Sequence, residues 1–397
     1  MLIATAVLLC GLVAGTIAAQ LYGLRLGGVL IVPLVAVYLL RSFGTFPVFV
    51  LSTVAAYASI SYIKTRLPLY GRQLFVLSIF IGALVPVTIV ELLVAGVGAE
   101  TAITDVEFLG SVLPGIAAYN FHRLDTEQRV LDGVVSLAVL LFLVVVGIGL
   151  TFLVGLSPLA GTLPPLLLAP ESDIALAFGL TVDRPPLPVI TSNSLSLVLV
   201  LAGMAIAELV RFRYQLRVAG IIVVPLVVLI TFRNGMLLPV WMLATVGAYG
   251  SIQLVHWWTL LYGRVLLAFG IIVSILTTVS LVSVVPVIHG VLPFFVGLLG
   301  GVTAYNIHVV PPRERPATIA VIAGTLVTVG FIARLLVTPP PTGLLTEVTV
   351  QQLQLGAVIV LLALAVLANL ERIEPPQSVS NPTEPMDHCQ AGEEVTD

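Results

Sequence analysis

Long apolar blocks, separated by short stretches that contain polar residues, glycine or proline, make up most of this chain. Most blocks approach the roughly 20 residues that an α-helix needs to cross about 30 Å of hydrocarbon. A backbone in lipid must satisfy its own hydrogen bonds, so we expect these blocks to be helices. Six predicted helices lie in the first half, six in the second, and one follows: 2–20, 26–42, 46–63, 73–97, 107–121, 131–155, 190–209, 218–233, 236–254, 265–285, 290–306, 316–337 and 351–370.

The composition supports a location in the membrane. Hydrophobic residues make up 59% of the 397-residue chain and charged residues only 9%, whereas soluble proteins carry about 25% charged residues. The first block, 2–20, lacks a basic n-region and has a counterpart in mid-chain, so we expect a membrane helix rather than a signal peptide. The predicted fold is an all-α polytopic membrane protein.

The two sets of six helices are copies of one another. With residues 23–82 laid over residues 215–274, 23 of 60 pairs are identical without a gap. The informative identities are not Leu or Val: Arg25/Arg217, Gly28/Gly220, Pro33/Pro225, Arg41/Arg233, Pro47/Pro239, Tyr57/Tyr249, and Tyr70-Gly71-Arg72/Tyr262-Gly263-Arg264. After a shortening by six residues, 118–122 falls on 304–308. The chain therefore reads as a tandem duplication.

The repeat divides the chain into five parts. Residues 1–155 are the first membrane repeat, 156–189 a Pro-rich linker loop, 190–337 the second repeat, 338–370 a loop and an extra transmembrane helix, and 371–397 a tail. The tail carries seven acidic residues and one arginine, a net charge of −6, and is predicted to be a disordered acidic end.

The basic residues orient the predicted spans. If the N-terminus is outside and all thirteen segments cross, 13 of 17 basic residues fall on the inner side and the tail is cytoplasmic. An even number of spans per copy gives both copies the same orientation, so the repeats are predicted to be parallel. The alternative is that the short fifth segment, 107–121 or 290–306, re-enters instead of crossing.

Polar residues shared by both copies are the candidate site, because buried polar groups in a bilayer are costly. Arg72 and Arg264, each after a Tyr-Gly pair that contains Tyr70 or Tyr262, lie at the inner end of the fourth helix. One interpretation is an anion site, since guanidinium binds carboxylate or phosphate through two donors. The other is an interfacial anchor, with tyrosine at the headgroups and arginine on the positive side.

The other shared polar residues lie beside the second and fifth helices. Asn120 and His122 in the first copy, and Asn306 and His308 in the second, end a short glycine-containing helix. They are candidate ligand or proton-transfer groups, or they form helix-end hydrogen bonds. Arg25 and Arg217 precede the second helix and are further candidate anion-binding residues.

No pattern in the sequence predicts catalysis. There is no Gly-rich phosphate loop ending in Lys-Ser or Lys-Thr, no His-Glu-x-x-His and no nucleophile elbow. Five histidines and two cysteines form no ligand spacing. We expect no catalytic residue, metal or cofactor, and no nucleic-acid partner. The lipid bilayer is an expected partner.

One copy resembles the PgsC/CapC family of poly-γ-glutamate biosynthesis proteins. The residues that carry the resemblance are 28–34 (GVLIVPL), 69–75 (LYGRQLF) and 108–118 (FLGSVLPGIAA), followed by His122-Arg123. The order and spacing suit the family along nearly all of 1–155. Family members usually consist of one such unit, so this chain looks like a fused pair. The second copy departs from the pattern, with Gly300 for Pro114 and Val309 for Arg123, so the copies are not expected to do equal work.

The resemblance implies a non-catalytic membrane component of a capsule-type polymer synthesis and export complex. Its partners would be a separate ATP-dependent amide ligase, similar to the Mur ligases, and other synthase subunits. The chain would assist ligation or pass the polyanion across the membrane. Two other interpretations remain open: a stand-alone secondary transporter for an anionic solute, and a structural membrane scaffold.

Overall fold

The computed structural model describes residues 2–69, 71–97, 112–155, 173–177, 193–214, 216, 220, 222–259, 261–284 and 291–373. The described residues of the first repeat contain helices α1–α6, those of the second α7–α12, and α13 follows. Their bounds are Leu2–Tyr22, Ile31–Arg41, Thr45–Arg66, Gly71–Val97, Leu113–His122, Thr126–Gly155, Asn193–Tyr214, Val223–Arg233, Leu237–Thr259, Arg264–Val284, Val291–Val309, Arg315–Leu336 and Val350–Ile373. The prediction of an all-α polytopic membrane protein built from a duplication is confirmed.

Ten of these helices are long and apolar enough to cross a membrane, and α2, α5 and α8 are not among them. The sequence predicted helices over 26–42 and 218–233, but α2 and α8 have 11 residues each, about 16 Å of rise. Leu26, Gly27 and Gly28 have positive φ angles of 50°, 62° and 127°, and Gly220 has 91°. An α-helix cannot continue through left-handed residues, so both second helices begin later than their apolar runs.

The short helix α2 lies in the middle of the protein, with nine of its residues buried from Ile31 to Leu40. Gly11 of α1 allows the approach, because a Cβ there would collide with the ring of Pro33. Gly203 and Pro225 make the same contact in the second repeat. Apolar runs of this length are typical of buried helices rather than of membrane spans.

In each repeat the third, fourth and fifth helices pack as a compact trio. The contact between α4 and α5 depends on glycine, because a Cβ on Gly115 would collide with the carbonyl oxygen of Ser78. Gly301, its counterpart in α11, lies equally close to the backbone of Ile271 in α10. Small residues allow such close approach of membrane helices, so the glycines of the fifth helix serve helix packing.

The repeats pack against each other reciprocally around one hydrophobic core. Helix α1 contacts α10, and its counterpart α7 contacts α4. Between the repeats, the ring of Tyr38 in α2 stacks on Phe295 in α11 with centroids 5.5 Å apart. Arg72 at the start of α4 and Arg123 after the end of α5 line one pocket, and the charges of Arg123 and of Arg264, at the start of α10, both act on Arg25. The starts of α4 and α10 therefore lie at the same end of the protein. The repeats are therefore parallel, as predicted.

The opposite end of each second helix is closed by the segment that follows the sixth helix. In the first repeat, the backbone N–H of Phe43 donates to Asp173 at 2.7 Å, from a short helical turn within the linker. In the second, Gly235 donates to the carbonyl of Thr342 at 2.9 Å. The extra helix α13 then packs on α12.

Candidate functional site

A pocket of about 620 Å³ opens where α3 ends, α4 begins and α5 ends. We call this end of the molecule, marked by Lys64, Arg72 and Arg123, the basic end. The pocket is lined by Lys64, Gly71, Arg72, Leu74, Phe75, Tyr119, His122 and Arg123. Three of these lining side chains are cations and none is an acid, so the pocket favours an anionic ligand.

Arg72, one of the predicted site residues, reaches across to the second repeat. Its Nε donates to Oε1 of Glu208 in α7 at 3.0 Å, and its Nη2 lies 3.0 Å from the same oxygen. The other oxygen of Glu208 accepts from Nη1 of Arg211 at 3.3 Å. The side chains of Arg72 and Glu208 are 27% and 29% exposed, so the protein does not enclose the pair. Sequence reasoning did not predict this partner.

The aromatic side chains of the pocket position the second arginine. The guanidinium of Arg123 lies 5.8 Å from the ring centre of Tyr119, within the range of a cation–π contact. The Tyr119 ring meets Phe75 edge-on at 5.1 Å, and its hydroxyl donates to the carbonyl of Gly71 at 3.3 Å. Arg123 and Lys64 are both exposed at the pocket.

His122 lines the pocket, but its contacts favour a structural role. Its ring stacks on Tyr57 at 4.3 Å, and Nε2 lies 3.3 Å from the Tyr57 carbonyl and 3.0 Å from the Ser61 hydroxyl. A carbonyl only accepts, so the contact with Tyr57 needs a proton on Nε2. Burial lowers the pKa of His122; the hydrogen bond to Tyr57 opposes this, and the charges of Lys64 and Arg129 lower the pKa further. The neutral imidazole is thus favoured.

Arg25 belongs to a loop that a buried carboxylate holds in place. Both oxygens of Asp132 accept from this loop: the N–H groups of Arg25 and Leu26 donate at 2.7 Å and that of Gly27 at 3.1 Å. Asn120 donates its side-chain amide to the Gly27 carbonyl at 2.7 Å. Asp132 is fully buried in α6, six residues or about 9 Å from the start of the helix. Buried backbone groups outside a helix need other hydrogen-bond partners, and these two side chains provide them.

The Arg25 guanidinium remains charged at every physiological pH. Burial lowers its pKa from the ordinary value, and the charges of Arg123 and Arg264 lower it further, while Asp132 and Tyr119 raise it. Arginine titrates far above neutrality even so. Arg25 therefore adds positive potential beside the pocket, which it does not line.

A second arginine pair, absent from the predicted site, clamps the fifth helix in both repeats. Nε of Arg129 donates to the carbonyls of Phe121 and Leu124 at 3.0 and 2.8 Å, and Nη1 donates to the Tyr57 hydroxyl at 2.9 Å. In the second repeat, Arg315 donates to the carbonyls of Val310 and His308 and to the hydroxyl of Tyr249, each at 3.0 Å. The shortened alignment places Arg129 on Arg315, and this is the signal that could have revealed the pair.

The counterpart region of the second repeat has lost most of the charge. Lys64 corresponds to His256 and Arg123 to Val309, so only Arg264 remains of the three cations. Arg264 is exposed at the start of α10, and Tyr262 is 81% exposed before it, which suits an interfacial position. His308 meets the His256 ring edge-on at 5.0 Å, and Asn306 is half-buried in α11. Tyr70 and Arg217 lie outside the described residues.

The arrangement can bind anions, and within the part of the chain that the structure describes it offers no metal centre. No group of three or more His, Cys, Asp or Glu side chains converges there in a way that could hold an ion. Lys64 and Arg123 supply positive potential, and Arg72, which Glu208 holds in place, supplies guanidinium donors. The basic end of the first repeat is therefore the candidate functional site.

Comparisons with known proteins identify one family. The sequence model described as "Capsule biosynthesis CapC" matches residues 10–130 and, separately, residues 202–315. Each match falls within one repeat, and together they cover more than half of the chain. Neither a curated protein nor a solved structure matches the chain.

Proposed function

Because the chain belongs to the capsule biosynthesis CapC family, we propose that it is a membrane subunit of a poly-γ-glutamate, or similar capsule polymer, synthesis and export complex. The family takes part in capsule biosynthesis, and ten helices of this chain are long and apolar enough to cross a membrane. In this proposal the ATP-dependent amide ligase is a separate, Mur-ligase-like protein. The chain itself is non-catalytic and assists ligation or passes the polyanion across the membrane.

The observation that carries the proposal is the basic end of the first repeat. A polymer with one carboxylate per residue needs a surface that replaces the water around its charges as it enters the membrane. Lys64, Arg72 and Arg123 meet at one pocket with no acidic lining residue. Arg25 adds a further charge beside it, so the local field favours an acidic chain.

The proposal includes an orientation, with the N-terminus outside and the basic end and acidic tail in the cytoplasm. Basic residues concentrate on the cytoplasmic side of membrane proteins. A cytoplasmic ligase would then deliver its acidic product directly to the pocket. The chain contains two cysteines, Cys10 in α1 and Cys389 in the tail, so a variant with Cys10→Ser leaves one thiol for labelling.

Loss and restoration of polymer output test the function. In cells that make the polymer, we expect deletion of the gene to abolish surface polymer and the wild-type chain to restore it. The double variant Arg72→Gln with Arg264→Gln should reach the membrane at the wild-type level but restore little polymer. Full output from this double variant would show that these arginines are interfacial anchors. Unchanged polymer in the deletion strain would contradict the proposal itself.

A further inference from the structure

We propose that the pocket at the basic end of the first repeat binds two neighbouring carboxylates of an acidic chain, and that Glu208 occupies the first carboxylate position until that chain arrives. The inference rests on the proposed function for the identity of the polymer. It names the binding residues, Arg72 for one carboxylate and Arg123 with Lys64 for the next. It also gives the second repeat a role at the site, through Glu208.

The structure already places a carboxylate on Arg72. Two guanidinium nitrogens of Arg72 lie 3.0 Å from one oxygen of Glu208. Arg72 also lines the pocket, so the guanidinium that holds this carboxylate is within reach of a ligand there. Guanidinium binds carboxylates through charge-assisted hydrogen bonds, and a free carboxylate can make the same contact.

An incoming carboxylate can displace Glu208 from Arg72. Both side chains are more than a quarter exposed, and solvent-exposed ion pairs contribute little to stability. Arg211 contacts the other oxygen of Glu208 at 3.3 Å. When an incoming carboxylate takes Arg72, Glu208 keeps Arg211 as its partner, so no charge is left without compensation.

Arg123 and Lys64 form the second carboxylate position. Arg123 lies over the Tyr119 ring, and neither it nor Lys64 has an acidic partner within 4.0 Å among the described residues. These two cations line the same pocket as Arg72. An acidic chain that binds Arg72 with one carboxylate therefore meets unneutralised cations for its next carboxylate.

The two repeats differ at the residues of this site. Under the repeat alignment Glu208 corresponds to Thr16, Lys64 to His256 and Arg123 to Val309. The second repeat thus lacks both cations of the second position and also the carboxylate that would face Arg264. A pair that only joined the repeats would be expected on both sides of the reciprocal interface. Glu208 instead occurs only where it faces the repeat that has all three cations, Lys64, Arg72 and Arg123.

Binding by the purified full chain in nanodiscs of phosphatidylcholine tests the proposal. The probes are γ-linked glutamate trimer, free glutamate and inorganic phosphate, measured by calorimetry. We expect the trimer to bind more tightly than either small anion, because the trimer presents carboxylates of neighbouring linked residues, whereas both carboxylates of free glutamate belong to one residue that also carries an ammonium group. Arg123→Val, which copies Val309, should weaken trimer binding roughly tenfold or more, since charge-assisted bonds are lost. Arg313→Gln, at an exposed arginine outside the pocket, is the matched control and should change little.

Glu208→Gln separates displacement from a merely structural ion pair. If Glu208 competes with the ligand, this variant should strengthen trimer binding roughly two- to fivefold, the scale of an exposed ion pair. Weakened binding with an unchanged melting temperature would show that Glu208 only positions Arg72 and would overturn the displacement.

Equal binding of trimer and phosphate, or no loss in Arg123→Val, would overturn the two-carboxylate site. Nanodiscs that contain phosphatidylglycerol reveal whether lipid headgroups occupy the pocket. If this lipid inhibits trimer binding and excess trimer does not relieve the inhibition, the pocket is a lipid site. If the wild-type chain binds the trimer but restores no polymer in the deletion strain, the proposed function is wrong and the two-carboxylate site is still supported.

Discussion

Replacing Asp132 with alanine should destabilise the first repeat more than any single change at the pocket. The carboxylate is fully buried and accepts from three backbone N–H groups of the α1–α2 loop at 2.7, 2.7 and 3.1 Å. Each bond to a charged group contributes about 1.5–3 kcal/mol. Part of this is recovered as the loop relaxes and water enters from the basic end, so we expect a net loss of about 3–5 kcal/mol.

Two measurements check this expectation. Thermal unfolding in a neutral detergent should show a clearly lower melting temperature for Asp132→Ala, because such a loss is a large fraction of a typical stability of about 5–15 kcal/mol. Hydrogen exchange should accelerate at the amides of residues 25–27. Asp132→Asn keeps an accepting oxygen, so its melting temperature and exchange rates should lie between those of Asp132→Ala and the wild type.

Glu127→Ala is the matched control, because Glu127 is an exposed acid in the first turn of the same helix. Its removal should cost at most about 1 kcal/mol, the scale of a helix-dipole interaction. If Asp132→Ala melts at the same temperature as this control and its loop amides exchange no faster, the assigned role of Asp132 is wrong.

Three further outcomes are expected. Arg129→Lys and Arg315→Lys should each lower the free energy of unfolding by about 2–3 kcal/mol, since lysine cannot bond to two carbonyls and a tyrosine hydroxyl at once. Equal melting temperatures of the wild type and these variants would contradict the role of the two arginines. Gly115→Ala and Gly301→Ala should each sharply reduce folded protein in a fluorescence-detected gel-filtration assay, whereas Gly133→Ala, where a Cβ meets nothing within 4 Å, should not. A membrane-impermeant maleimide should label the tail thiol of the single-cysteine variant only after the cells are permeabilised, and labelling of intact cells would reverse the proposed orientation.

Much of the fold could be predicted because membrane helices and repeats leave strong patterns. Apolar length indicated the long helices, and the identities between the copies indicated parallel halves. The start of α2 could not be predicted in this way. Its apolar run continues through Leu26, but Asp132, more than 100 positions away, holds the backbone there in a non-helical conformation. A long-range hydrogen bond of this kind leaves no local signal.

The candidate site was predictable only in part, for a related reason. Arg72 was identified because its Tyr-Gly-Arg motif is repeated. Its partner Glu208 is not repeated and comes from the other half of the chain, 136 positions away. Asn120 and His122 were also identified by repetition, but their contacts include bonds that hold the fold together. Lys64 and Arg123 align with His256 and Val309, so repetition could not select them as site residues.

Co-purification tests the central claim most directly. The full chain, tagged and extracted in mild detergent from cells that make the polymer, should bring with it an ATP-dependent amide ligase in a fixed ratio, as identified by mass spectrometry. The control variant Arg313→Gln, which removes one positive charge at the basic end but outside the pocket, should still co-purify with the ligase. A homogeneous chain without any ligase, from cells that are actively making the polymer, would contradict the synthase assignment.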